Sequence, residues 1–159
     1  GLDAIETGKL FGGKITDISA YAFGKGLRLN GDGDYLYHAP CHDSLSGKAC
    51  ETLGTIGGFG RVTAVPHCCS EAGTLALSRP DITDSMLHRK RDVITEAMHG
   101  QSKAVILTNC PSCVQGLGRN LDLGIVPQHI VVALAEKISG SGWMELMRKQ
   151  TAGVTAVSF

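Results

Sequence analysis

The stretch Ala104-Val105-Ile106-Leu107-Thr108 is an uninterrupted, largely apolar run of strand length, and a Cys-Pro-Ser-Cys segment begins two residues after it, at Cys110. A strand that is apolar on both faces must be covered on both faces, and such strands belong to parallel sheets with helices on either side. Other segments fit the same plan. Tyr35 to His38, Arg61 to Pro66 and the brief Ile125-Val126 read as further strands, bounded by Gly and Asp turns. Between them lie helical patterns. Phe11, Ile15, Ile18 and Ala22 recur at helical spacing before Gly24 and Gly26. Pro80 and Asp81 open a second helix with an apolar face of Ile82, Met86, Val93, Ile94 and Ala97, closed by Gly100. Val114, Leu117 and Leu121 mark a third. Ile130, Leu134 and Ile138 mark a fourth, stopped by Gly140 and Gly142, and Trp143 to Lys149 reads as one more. Strands alternating with helices predict an α/β fold of three layers around a mostly parallel sheet. The Gly-rich stretch Gly54 to Gly60 is expected to be a flexible loop. Thr151 to Phe159 reads as either a tail or an edge strand.

The cysteines follow from this placement. Cys41 lies just past the strand ending at His38, Cys68 and Cys69 just past Pro66, and Cys110 and Cys113 just past Thr108. In a parallel sheet all three groups fall at one carboxyl edge, which is where open α/β sheets bind ligands. Thiolates brought together repel, and a soft metal resolves the repulsion, either zinc or iron in a sulfide cluster. Cys110 to Cys113 opens a helix, whose N-terminal amides favour the thiolate, and Pro111 suits the first helical turn. Taken alone, this CxxC is equally compatible with a dithiol–disulfide redox pair.

Composition narrows the choices. The chain has 159 residues, of which 43% are hydrophobic, which suits one domain with a real core and not a small disulfide-stapled scaffold. Fifteen basic residues balance fifteen acidic ones, so no charge excess points to nucleic acid. The apolar runs are too short to span a bilayer, and no charged-then-apolar leader opens the chain. The first residue is not Met, so the chain is expected to be a piece of a longer polypeptide or a processed chain.

Several motifs carry a resemblance. Tyr37-His38-Ala39-Pro40-Cys41-His42 resembles the Tyr-His-x-Pro-Cys-His signature of the CCG cysteine-rich domain, and His67-Cys68-Cys69-Ser70-Glu71-Ala72-Gly73-Thr74 resembles its Cys-Cys-Gly-x-Ala-Gly signature. Arg79-Pro80-Asp81, Arg89-Lys90, Thr108 to Cys113 and Gln128-His129-Ile130 are similar to its later elements. The resemblance runs from about Lys14 to Ile138. It implies a domain of the kind found in heterodisulfide reductase, the iron–sulfur component of glycolate oxidase and FAD-linked lactate or glycolate dehydrogenases. By this resemblance Cys41, Cys68, Cys69, Cys110 and Cys113 would hold an iron–sulfur cluster, of the 4Fe-4S or non-cubane type. FAD would sit on a partner domain or subunit, with a further electron carrier beyond it. The expected location is the cytoplasm, or the inner face of a membrane through partners. Ser70 stands where the signature has Gly, so a positive φ at that position would fit it poorly. Zinc held by four of the five cysteines remains the alternative metal reading.

The remaining polar residues have plainer readings. His42 and His67 neighbour the candidate ligands and are expected to tune sulfur through hydrogen bonds or to donate protons there, with metal binding as the alternative, and Glu71 reads as an acid/base group or a weak ligand. Cys50 reads as a small buried apolar residue, with a substitute ligand or resolving thiol as its functional reading. His129 is expected to cap a helix, and His88 and His99 to be solvated. Arg79, Arg89, Lys90 and Arg91 are expected on a helix surface, with docking of an acidic partner as the functional alternative. Met86, Met98, Met144 and Met147 fall at core spacing. Gly57 to Gly60 precedes a strand instead of following one, so it is not a dinucleotide-binding loop.

Overall fold

A computed structural model describes residues 16–71 and 75–153 of the chain. Phe11 and Ile15 of the expected first helix, Ala72 to Thr74 of the second signature and residues 154–159 of the ambiguous tail lie outside the described residues. The elements in chain order are α1 (Ile18–Gly24), β1 (Asp34–His38), α2 (Ala49–Thr55), β2 (Arg61–Ala64), α3 (Leu75–Ser78), α4 (Pro80–Ala97), β3 (Ala104–Thr108), α5 (Pro111–Gly118), a 3-10 turn at Leu121–Leu123, β4 (Ile125–His129), α6 (Ile130–Ser139) and α7 (Trp143–Thr151).

The four strands form one sheet in the order β2-β1-β3-β4, and every pairing is parallel. The expected α/β sheet is therefore present, with β1 and β3 at its centre. Successive side chains of a strand face opposite sides, and helices cover both. Tyr37 and Leu107 pack with Phe23 of α1, Leu53 of α2 and Ala133 and Leu134 of α6. Leu36, Ala104 and Ile106 pack with Ile94 of α4 and Leu117 of α5. These are the three layers. The edge strands explain two differences in extent. β4 runs on through Pro127, which an edge strand accommodates because one of its backbone sides needs no partner. β2 stops at Ala64, although the Val65 amide still donates to the Tyr37 carbonyl at 2.8 Å.

Some expectations need correction. Gly54 to Gly60 is a folded corner: α2 takes up its start, and Phe59 is buried between α2 and β1. Gly58 has φ +68°, and a Cβ there would lie 2.9 Å from the Leu29 carbonyl carbon, so the approach of the two backbones requires glycine. Lys90 belongs to the buried face of α4, in line with Thr83 and Ile94, while Ile82 is on its exposed side. Met98 is buried, but Met144 and Met147 are exposed on α7, which buries no residue. Their spacing marks an apolar stripe that no described element covers. His88 and His99 are exposed, and His129 caps α6 by accepting the Val131 amide on Nδ1 at 3.2 Å. Among the described residues no helix is long and apolar enough to cross a membrane.

Candidate metal centre

The sheet order reverses between β1 and β3. The chain leaves β1 toward β2 on one side and leaves β3 toward β4 on the other. The helix after β1 packs on one face and the helix after β3 on the opposite face, so a crevice opens between the carboxyl ends of the two central strands. A cavity of about 410 Å³ lies there. Its lining includes Cys41, Cys68, Cys69, Cys110 and Cys113.

Each segment is held in place by local chemistry. After Cys41, the Asp43 carboxylate accepts from the amides of Leu45 and Gly47 and from the Tyr37 hydroxyl, which ties the loop to β1. The paired cysteines sit between two left-handed residues, His67 with φ 68° and Ser70 with φ 63°. The Ser70 position does take the conformation that favours glycine, so this loop carries backbone strain. Between these two residues the Ser70 amide donates to the Cys68 sulfur at 3.4 Å. Cys110 is the N-cap of α5, with Pro111 following it and Cys113 in the first turn. Across the cavity the sulfurs of Cys69 and Cys113 are 3.2 Å apart, and all the described cysteines are free thiols.

The thiols differ in acidity for physical reasons. Burial pushes Cys113 well above the ordinary thiol range, and the neighbouring Cys69 and Cys110 add to the rise. Proximity to Cys68 pushes Cys41 up, with burial and Cys69 adding less. Burial acts the same way on Cys110, but the amides and side chains of Cys113 and Ser112 at the helix N-terminus outweigh it and bring that thiol down. A cation entering this cavity would displace the protons that crowding now retains.

Beneath the sulfurs lies a group that sequence reasoning missed. Lys90 has no exposure to solvent. Its Nζ donates to the carbonyls of Val65, Pro66 and His67 at 3.0, 2.7 and 3.2 Å, and it lies 3.0 Å from His38 Nδ1. Burial lowers Lys90 to about 8, against the opposing pull of Cys69, Cys68 and Cys113. Burial, reinforced by the Lys90 charge, lowers His38 to about 4, so its ring is neutral at neutral pH. A ring nitrogen of His38 and the sulfurs of Cys69 and Cys113 lie within 4.8 Å of one another, all three residues buried. By distance and chemistry this group can hold a metal ion. The signal for Lys90 was its position: it stands four residues before Ile94 on the stripe that α4 buries.

The other singled-out residues are dispersed. His42 and Glu71 line the cavity, and Glu71 is paired with Arg119 at 2.8 Å. His67 faces a separate hollow with Cys68, Met86 and Arg89, and contributes its carbonyl to Lys90. Cys50 packs against the core on the opposite face of the sheet, away from the cavity, and burial followed by the Asp43 charge raises its thiol. Arg91 is paired with Asp122 at 2.6 Å, Arg79 with Asp81 at 2.7 Å, and Arg89 is exposed. Asn109, also in the lining, donates to Asp17 and Ser44 and so fastens the start of α1 to the cavity rim, while its Oδ1 is buried without a partner. Comparison of the chain with family models, with curated proteins and with solved structures finds no match.

Proposed function

We propose that the thiol cavity holds an iron–sulfur cluster, 4Fe-4S or non-cubane, and that the chain passes electrons within a flavin-linked oxidoreductase. One observation carries this reading: five cysteines from three distant segments line one cavity at the carboxyl edge of the sheet. A structural zinc site uses four ligands in a closed tetrahedron, so five thiols are more than zinc requires, whereas thiolates in number suit iron and sulfide. The donor set fits, with Cys41, Cys68, Cys69, Cys110 and Cys113 as the residues that would hold the group. When bound, such a cluster supplies one-electron transfer. The chain's own part is to keep the sulfurs deprotonated and placed. The N-terminus of α5 favours the Cys110 thiolate, and Lys90 supplies a buried positive charge beside the sulfurs. Cys41 and Ser112 lie in the exposed part of the lining. In this reading they mark the side from which a flavin-bearing domain or subunit, and then a further carrier, exchanges electrons.

A zinc site is the second reading, favoured by the closeness of His38 to Cys69 and Cys113, since zinc accepts mixed nitrogen and sulfur ligands. Anaerobic reconstitution with iron and sulfide, followed by visible absorption and metal analysis, separates the two. A brown protein with several irons per chain, colourless in the Cys68→Ser, Cys69→Ser double variant, is the expected result. A colourless protein that takes up one zinc, or that yields only an oxidised Cys110–Cys113 pair, would sink the cluster reading.

A further inference from the structure

The contact between Lys90 and His38 fixes more than charge. An ammonium group has three protons to give and no lone pair to accept with. The ring nitrogen 3.0 Å from it, His38 Nδ1, is therefore the acceptor. A neutral imidazole carries one proton, and the hydrogen bond made by one nitrogen decides which nitrogen keeps it. With Nδ1 accepting, Nε2 carries the proton. With the carbonyls of Val65, Pro66 and His67, Nδ1 makes four acceptors around three protons, so at least one proton is shared between two of them. Nδ1 still meets the ammonium with its lone pair, because an N–H turned toward a cation would be repelled. His38 itself is 2% exposed, so water does not compete for the ring. Strand alternation puts His38 on the same side of the sheet as Leu36, the side where Cys69 and Cys113 are packed.

We infer that Lys90 and His38 form a buried donor chain under the thiol cavity: the Lys90 ammonium donates to His38 Nδ1, and His38 presents Nε2–H to the sulfurs of Cys69 and Cys113. His38 is then a hydrogen-bond donor to the sulfurs of the bound group and not a ligand of its metal, and by this assignment Nε2 is the ring nitrogen that lies within 4.8 Å of both sulfurs. The chain of donors stabilises negative charge on sulfur. In a cluster that charge grows on reduction, and hydrogen bonds to sulfur are one of the levers that set a cluster's potential. The inference rests on the reading that the cavity binds a metal group through its cysteines, but the tautomer is a property of the chain with or without metal.

The test begins with the unmodified chain. Long-range proton–nitrogen NMR correlation on 15N-labelled, reduced protein reports which ring nitrogen of His38 is protonated. An Nε2-protonated ring is expected both in the metal-free protein and after addition of zinc alone. An Nδ1-protonated ring, or a zinc-bound nitrogen, overturns the inference. Two variants then read the sulfur contact. His38→Gln keeps an N–H near the Nε2 position, while His38→Leu removes it. After iron and sulfide reconstitution both are expected to retain the wild-type iron content. The midpoint potential should stay close to wild type in His38→Gln and move to a more negative value in His38→Leu. Loss of iron from His38→Gln, or equal potentials in the three proteins, overturns it. If His38→Leu fails to fold, the wild-type spectrum and His38→Gln decide the matter. If the wild type takes up no iron at all, the cluster reading has failed, and the tautomer of the metal-free ring still judges this inference separately.

Discussion

The two faces of the sheet are packed by different chemistry. On the side of α1, α2 and α6 the interior is apolar and aromatic: Phe23, Tyr37, Leu53, Phe59, Leu107 and Leu134 fill it, with Tyr35 and Phe59 edge to face at 5.0 Å. On the side of α4 and α5, Ile94, Ile106 and Leu117 share the space with Cys69 and Cys113, and His38 and Lys90 are buried beside them. The first face is held by area removed from water. The second contains groups whose burial is costly unless each is satisfied, and the satisfying partners are carbonyls of the loop that carries the paired cysteines. The site and the fold are therefore coupled on one face and independent on the other.

Cysteine substitution breaks this comparison most sharply. Cys113→Ser should lose metal binding outright, while Cys50→Ser, on the other face, should retain the full metal content after the same reconstitution; metal analysis of the two proteins checks this. Equal loss in both would mean that the faces are not separate. The next effect is on stability, read by urea unfolding of the reduced, metal-free chain. Phe59→Ala should cost about 4 kcal/mol through cavity formation. Lys90→Met, which is apolar and of similar length, should still cost about 3 kcal/mol, because three carbonyls lose their donor. A cost near zero for Lys90→Met would show that the second face is held as the first is.

A smaller effect belongs to Asp17, which caps α1 through the Ser19 and Ala20 amides and receives a hydrogen bond from Asn109 at the cavity rim. Asp17→Ala should cost about 1 kcal/mol. Burial works against the charged form of Asp17, but these hydrogen bonds and one from Ser44 outweigh it and hold the carboxyl below its ordinary value of 3.8. The folded state therefore binds that proton less readily than the unfolded state. The contribution is fully present above the ordinary value and is lost as pH falls through the lower folded-state value. The gap in stability between wild type and Asp17→Ala should accordingly be constant near neutrality and close at acid pH. The smallest effect is expected on α7. Met147→Gln should change stability by less than about 0.5 kcal/mol, since Met147 is 51% exposed; a larger loss in thermal unfolding would mean that α7 is part of the packed layer.

Local pattern carried a good part of this molecule. The apolar run of β3, the Pro80 start of α4 and the cysteines placed just after strands all depend on neighbours in sequence, and from them the parallel sheet and the shared edge of the thiols follow. Helix α2 was missed because it is one short piece with only Ala49 and Leu53 buried, too little to show a period. Spacing also misread Met144 and Met147, since a helical stripe is apolar whether or not another element comes to cover it.

Chain order and hydrophobic period thus determined the sheet, its central strands and the end at which the cysteines gather, because strand direction and side-chain alternation are properties of the local backbone. Only the tertiary structure decided that Lys90 is inside, that His38 lies beside Cys69 and Cys113, and that Cys50 is not. The reason is that a charge can be buried only where acceptors converge. The acceptors of Lys90 come from a loop more than twenty residues away in sequence, which no local pattern records.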